Sequence, residues 1–403
     1  MKIGVLTFHR SFNYGAFAQC YSLITKLKED FPNHEIEVID YSSKKAIDSY
    51  SVDIEKQKNK KTKQQLIERN KSFYKCQESL PLSKYHAVSD DYKETVEYLN
   101  ENYDVIIVGS DAVWNWNTRG FPNLYFLKDF KGIKFSYAAS AHGLTYQNMS
   151  GEQKDYLNNA FSEFDYIGVR DETTSNMVHF VNDTIKTNFN CDPTMLLDVQ
   201  KVPCDEQKLK EKLISKGVDF SKPLIGIMAG NSIGYEIKKR FGKKVQLIGV
   251  YQPNKYVDVY LNDLTPFEWI KVFSFFKLTI THFFHGTMLS LVNGIPVIPV
   301  EGISSFSAIN KTKIKDLMER LKISDWRFEY DHRSFSLFKR ALHKYKICTD
   351  KKLWNEVCSK VDEFLKKDYE QIIKQKVEES RNSYISFRDA LINIIEAKEK
   401  NNG

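Results

Sequence analysis

The side chains best suited to chemistry lie where apolar runs give way to small and polar residues. His285 stands between the β-branched run Leu278–Thr281 and a stretch, Met288–Val292, whose apolar residues recur at helical spacing. Gly286 and Thr287 open that helix, Gly294 and Pro296 stop it, and Pro296–Val300 reads as a second buried strand. This β-turn-α-turn-β pattern puts His285 at the carboxyl edge of a strand and the amino end of a helix, where backbone N–H groups favour an anion. Histidine can also give or take a proton near neutral pH. The competing reading is a core histidine satisfied by a neighbouring carbonyl.

Three other places share this arrangement. Asn13-Tyr14-Gly15 closes the loop between the apolar run Ile3–Phe8 and the helical pattern Ala16–Leu27, and Gly15 would let the backbone approach a ligand. The loop is neither a GxGxxG fingerprint nor a P-loop, and ordinary turn chemistry explains it equally well. Ser110 and Asp111 come after the run Val105–Val108; Asp111 could orient a hydroxyl, act as a base, or simply cap a helix. Arg170 comes directly after Tyr166–Val169, where a guanidinium suits bidentate recognition of carboxylate or phosphate, or an ion pair with Glu172.

The elements that must position these residues alternate strand and helix, which implies parallel sheets. Strand-type grammar halts at Asp192-Pro193 and restarts at Pro223, so two α/β domains are expected, 1–200 and 201–345. A basic helical insertion near 42–92 interrupts the first. Its run Lys56–Arg69 is polar almost all round and reads as a solvated face, or as a lid over an anionic ligand. Residues 346–403 are charged with apolar residues at helical spacing and should form amphipathic helices.

Composition narrows the partners. At 403 residues with 42% hydrophobic content, the chain can build two sizeable cores. A net charge of +7 without a recognisable binding module argues against nucleic acid and is compatible with an anionic small substrate or peripheral contact with an anionic membrane. The six cysteines show no CxxC or Cys/His ligand spacing, so reduced structural thiols and no metal are expected. The apolar start MKIGVLTF is too short for a signal core and no stretch can span a membrane, which places the chain in the cytoplasm.

Taken in order, NYGAFAQCYSL, VIDY, IIVGSDAVWN, FSYAASAHG, GVRDETTS, CDPTMLL and THFFHGTMLSLVNGIPVI resemble the polysaccharide pyruvyl transferase family from Met1 to about Arg320. The resemblance implies two Rossmann-like domains facing a cleft, similar to the GT-B architecture, with carboxy-terminal helices returning to the first domain. It implies phosphoenolpyruvate as donor, a glycan or lipid-linked sugar as acceptor, and no cofactor. His285 matches the histidine of the family's Arg-Leu-His turn, but Phe283 stands where the arginine is expected. Arg170 matches the family's other common arginine, and Lys311 or Lys313 could replace the missing charge. In the ketal-forming scheme a histidine protonates the methylene carbon while a sugar hydroxyl attacks its neighbour. The alternatives are a GT-B glycosyltransferase holding a nucleotide ribose through Glu268 or Glu301, and a non-catalytic glycan-binding member.

Overall fold

Short apolar runs closed by small residues become the strands of two parallel sheets. The computed structural model describes residues 1–44, 60–91, 93–303, 311–330 and 351–402. The chain divides into two compact units, Met1–Leu197 with Glu379–Gly403, and Asp198–Glu378.

In the first unit the chain runs β1 (Lys2–Leu6), α1 (Tyr14–Asp30), β2 (Glu35–Val38), β3 (Tyr41–Ser42), α2 (Lys60–Gln77), β4 (Ala87–Val88) and α3 (Lys93–Asn102). It continues through β5 (Val105–Val108), α4 (Trp116–Arg119), β6 (Ile133–Ala139), α5 (Gly151–Ser162), β7 (Tyr166–Val169), α6 (Glu172–Val181) and β8 (Asn188–Phe189). Six of the strands form one sheet in the order β2-β1-β5-β6-β7-β8, every neighbouring pair parallel. Every residue of β5, β6 and β7 is buried, as expected for strands covered on both faces. Order reverses between β1 and β5.

β3 and β4 make a separate parallel pair, which the sequence pattern did not announce. Residues 45–59, which include the first four residues of the run Lys56–Arg69, lie outside the described residues. The described part of the insertion is not just a solvated face. Phe73 and Cys76, spaced i and i+3 on α2, are buried, Phe73 packs on Tyr14 with ring centroids 4.6 Å apart, and Gln77 donates to the Ser11 carbonyl at 3.0 Å. The second half of α2 therefore braces the loop after β1.

The second unit carries α7 (Glu206–Ser215), β9 (Leu224–Met228), α8 (Asn231–Phe241), β10 (Gln246–Val250), β11 (Val259–Leu261) and α9 (Pro266–Val272). It continues through β12 (Leu278–Thr281), α10 (Phe284–Val292), β13 (Val297–Gly302), α11 (Lys313–Arg320) and β14 (Phe328–Tyr330). Sheet order is β11-β10-β9-β12-β13-β14, again all parallel. This is the dinucleotide-fold order, with its reversal between β9 and β12.

The carboxy-terminal helices do not all return to the first unit. α12 (Lys351–Lys366) belongs to the second, because its buried stripe of Leu353, Trp354, Val357, Val361 and Phe364 packs there, Phe364 lying 4.8 Å from the Trp326 ring. Only from Glu379, within α13 (Glu370–Asn402), does the chain rejoin the first unit. There Phe387 is fully buried edge-on against Phe135, Tyr137 and Tyr166, at 5.7, 4.8 and 5.7 Å. Ser383 Oγ accepts the Cys191 N–H at 2.8 Å, and Arg381 Nε donates to the Met195 carbonyl at 2.7 Å. Among the described residues no helix is long and apolar enough to cross a membrane.

Phe387→Ala is expected to cost about 3–5 kcal/mol, the range for deleting a buried aromatic side chain. Phe387→Leu should cost clearly less. Denaturant titration of both variants checks this, and equal stability of Phe387→Ala and the parent would remove the ring from the core.

Candidate functional site

In the second unit the loops after β9 and β12 are tied together by a histidine that sequence reading passed over. His282 accepts the Gly230 N–H through Nε2 at 3.1 Å and donates from Nδ1 to the Val300 carbonyl. An N–H can only donate and a carbonyl only accept, so the proton belongs on Nδ1 and the ring spans three strand ends in one tautomer. Its signal was present in the HxxH spacing of THFFH, directly after the strand.

His285 lies three residues past that brace. The helix α10 starts at Phe284, before the expected Gly-Thr, so His285 is half-buried within its first turn, its ring 5.3 Å from that of Phe284. Thr281 Oγ1 accepts the Phe283 N–H at 2.9 Å and Thr287 Oγ1 donates to the Phe283 carbonyl at 3.2 Å. Gly286 is needed for contact: a Cβ there would sit 2.1 Å from Met228 Cε and 2.7 Å from Thr281 Oγ1. Gly286 and Thr287, expected to bind substrate, are buried and instead seat the helix on the sheet.

Cationic groups stand beside this turn. Lys313 places its ammonium 5.1 Å from the Phe284 ring centroid, whereas Lys311 pairs with Glu319 at 3.0 Å. Phe283 packs edge-on against Tyr251 at 4.7 Å. The two carboxylates considered for a ribose are engaged. Glu301 accepts from Thr312 Oγ1 at 3.1 Å and pairs with Arg327, while Glu268 completes the capping box of α9 and pairs with Lys212 at 2.8 Å.

In the first unit the reversal between β1 and β5 gathers a second set of polar groups. Ser110 is fully buried, its N–H and Oγ both donating to Gln19 Oε1 at 3.1 Å, and Gln19 in turn donates to Thr7 Oγ1 at 2.9 Å. Ser110 therefore acts as a strut between β5, β1 and α1. Asn13 spends its side chain as the cap of α1, accepting from the Gly15 and Ala16 N–H groups at 2.8 and 3.2 Å, while Tyr14 and Gly15 are buried.

Asp111 is not a helix cap; Asn115 caps α4. Asp111 has φ of 74°, in the left-handed region, and its carboxylate is 3.4 Å from Arg170 Nη2. The Arg170 side chain is only 3% exposed and also meets Asp192 at 3.0 Å and Asp171 at 3.9 Å. Burial works against the guanidinium's charge, but Asp111, Asp192 and Asp171 outweigh it and raise its pKa. Asp171 is itself fixed by Thr174 and Ser140, and Asp192 by the Thr194 N–H. Arg170 thus organises three carboxylates from a buried position.

A further cluster was not anticipated. His9 is fully buried with Nε2 2.8 Å from Asp40, and Arg10 grips the same carboxylate through Nε at 2.8 Å and Nη2 at 2.6 Å. Burial tends to raise the Asp40 carboxyl, and the hydrogen bonds from Arg10 and His9 overcome it and hold the group well below the usual carboxylate range. Only the pairing of β1 with β2 brings these residues together, so local pattern carries no sign of it. Among the described residues no group of three or more His, Cys, Asp or Glu side chains is placed to hold a metal ion. Cys20, Cys76, Cys191, Cys204 and Cys358 are free thiols.

Removing one partner from a buried ionic network leaves charge uncompensated, so Arg170→Ala should destabilise the protein by about 3–5 kcal/mol. Adding Asp192→Asn should recover part of that loss. Equilibrium unfolding of the single and double variants checks this, and an unaltered stability in Arg170→Ala would return the residue to ligand binding.

By structure the chain is similar to UDP-GlcNAc 2-epimerase from Neisseria meningitidis bound to UDP-GlcNAc, with a TM-score of 0.55 and 10% identity over 98% of this chain and 100% of that one. It is also similar to UDP-GlcNAc 2-epimerase from Methanocaldococcus jannaschii, with a TM-score of 0.53 and 11% identity over 92% of this chain and 94% of that one. At such identities the likeness carries the fold alone, an α/β architecture of two Rossmann-like domains of GT-B type. No curated protein matches the chain. The sequence itself matches a family of transferases over residues 13–304, a span that takes in the His285 turn, the Arg170 network and the sheet reversal of the second unit. On that match the chain belongs to the polysaccharide pyruvyl transferase family.

Proposed function

We propose that the protein transfers the pyruvyl group of phosphoenolpyruvate to a sugar of a cell-surface glycan or its lipid-linked precursor, at the cytoplasmic face of an anionic membrane. The observation that carries this reading is His285 in the first turn of α10, beside Lys313, at the sheet reversal of the second unit of a chain in this family.

The chemistry needs few groups. A proton goes to the methylene carbon of the enolpyruvate, and His285 is the group assigned to deliver it. One sugar hydroxyl adds to the adjacent carbon, a second displaces phosphate from it, and the two new C–O bonds close the ketal. Lys313 and the amino end of α10 supply positive charge for the donor where Phe283 offers none. In the first unit Asp111 keeps its carboxylate 18% exposed and held by Arg170, which suits that group to take up a proton there. A nucleotide-sugar glycosyltransferase is less well supported, since Glu268 and Glu301 are already engaged.

Phosphate release from phosphoenolpyruvate in the presence of an acceptor panel tests the reading. His285→Ala and His285→Gln should both keep the melting temperature while turnover falls roughly 10² to 10⁴-fold, the usual share of acid–base catalysis. Near-parental activity in the Gln variant would exclude proton transfer by this residue.

Lys313→Ala should raise KM for phosphoenolpyruvate roughly 10- to 100-fold, corresponding to loss of a hydrogen bond to a charged group worth about 1.5–3 kcal/mol. Titration of donor-induced thermal shift gives an independent measure. An unchanged donor affinity would move the phosphate site elsewhere.

A further inference from the structure

We propose that Tyr251 and Phe283 form a stacking platform that holds a pyranose ring of the glycan at the carboxyl edge of the second sheet. The inference rests on the reading that a glycan is the substrate, and it names the surface that recognises it.

The geometry starts from the strand order. β10 and β12 are both neighbours of β9, so their ends are about 10 Å apart at the usual strand spacing. Tyr251 is the first residue after β10 and Phe283 the second after β12, yet their ring centroids are 4.7 Å apart with planes at 74°. The two side chains must therefore lean toward each other over the end of β9. The chain leaves β9 there through Ala229-Gly230, which has no bulk to fill the space beneath or beside them.

Core packing alone does not account for the pair. Tyr251 remains 36% exposed, and it adopts φ of 73°, a left-handed conformation that costs a residue with a Cβ something on the order of 1–2 kcal/mol. A tyrosine held this way, with its ring across an edge where parallel sheets take ligands, presents aromatic surface where burial would favour hiding it. An aromatic face carries partial negative charge, and the axial C–H groups of a pyranose present an apolar, slightly positive face to match. Polar groups for the ring hydroxyls are close in the chain. His285 is two residues beyond Phe283, and Asn231, the first residue of α8, commits its Oδ1 to the Lys255 N–H at 2.8 Å, so its NH₂ group is the donor it offers. A carboxylate or phosphate carries negative charge that the negative face of an aromatic ring repels, which separates this subsite from the one assigned to the donor.

Saturation-transfer NMR on the full chain, without phosphoenolpyruvate, tests the platform with methyl β-galactopyranoside, methyl α-mannopyranoside, methyl β-N-acetylglucosaminide and uridine as probes. At least one glycoside should receive saturation at its ring C–H protons. That signal should fall roughly five- to tenfold in Tyr251→Ala and in Phe283→Leu, the order expected for an aromatic contact, and persist in Phe283→Tyr. Phe283→Leu keeps most of the side-chain volume, so melting curves should show it folded and its result decides the case if Tyr251→Ala does not fold. Equal saturation in the parent and Phe283→Leu, saturation of uridine alone, or no saturation of any glycoside would overturn the proposal. Binding is read here apart from turnover, so intact glycoside saturation with no phosphate release would sink the donor assignment and leave the platform standing.

Discussion

A parallel strand can join its neighbour only by crossing the face of the sheet, and this constraint decides where everything polar in the protein ends up. Each unit winds outward from a central strand in both directions, and the two windings part at one place, between β1 and β5 in the first and between β9 and β12 in the second. Crossover helices leave on opposite faces there, so the carboxyl ends of the two strands stay uncovered. The loops that fill these gaps hold Thr7 to Asn13 and Gly109 to Asp111 in the first unit, and Ala229 to Asn231 and His282 to His285 in the second. Apart from Lys134 of β6, which pairs with Glu163, the fully buried strands carry no charge along their length, and the loops at their ends are where it collects.

The two reversals handle charge in opposite ways. In the first unit the polar groups are committed to one another: Arg170 is shared by three aspartates, Asp40 by His9 and Arg10, and Gln19 by Thr7 and Ser110. Such networks hold geometry well, because each member left alone would be a buried unpaired group. In the second unit His282 is tied on both sides, and the neighbours of the His285 turn are aromatic and cationic: the Phe284 ring beside His285, Lys313 over that ring, and the Tyr251–Phe283 pair one residue earlier. Phe283 where a guanidinium was expected adds an aromatic ring to a turn whose positive charge comes from Lys313 and the amino end of α10.

The carboxy-terminal helices show how packing overrides a simple plan. One amphipathic pattern covers 351–402, yet α12 buries its stripe in the second unit and the chain from Glu379 buries Phe387 in the first. Both are satisfied by the same kind of aromatic surface, and what separates them is which core each stripe meets. α13 passes from one unit to the other without an interrupting loop.

The sequence by itself determined what depends on near neighbours along the chain. Strands were readable as apolar runs ended by Gly, Ser and Asn, helices by their period, and the ordered motifs carried the family, because hydrophobic periodicity and turn chemistry are local properties. His285 was legible as a residue between a strand and a helix for the same reason. Tertiary structure alone decided the state of each side chain. Asp40 and His9 are separated by α1 and β2, Asp111 and Arg170 by two strands and two helices, and Tyr251 and Phe283 by β11, α9 and β12. Whether Arg170 is a clamp or a strut, and whether Ser110 faces a ligand or a core glutamine, depends on burial and on partners that only strand order brings within hydrogen-bonding distance.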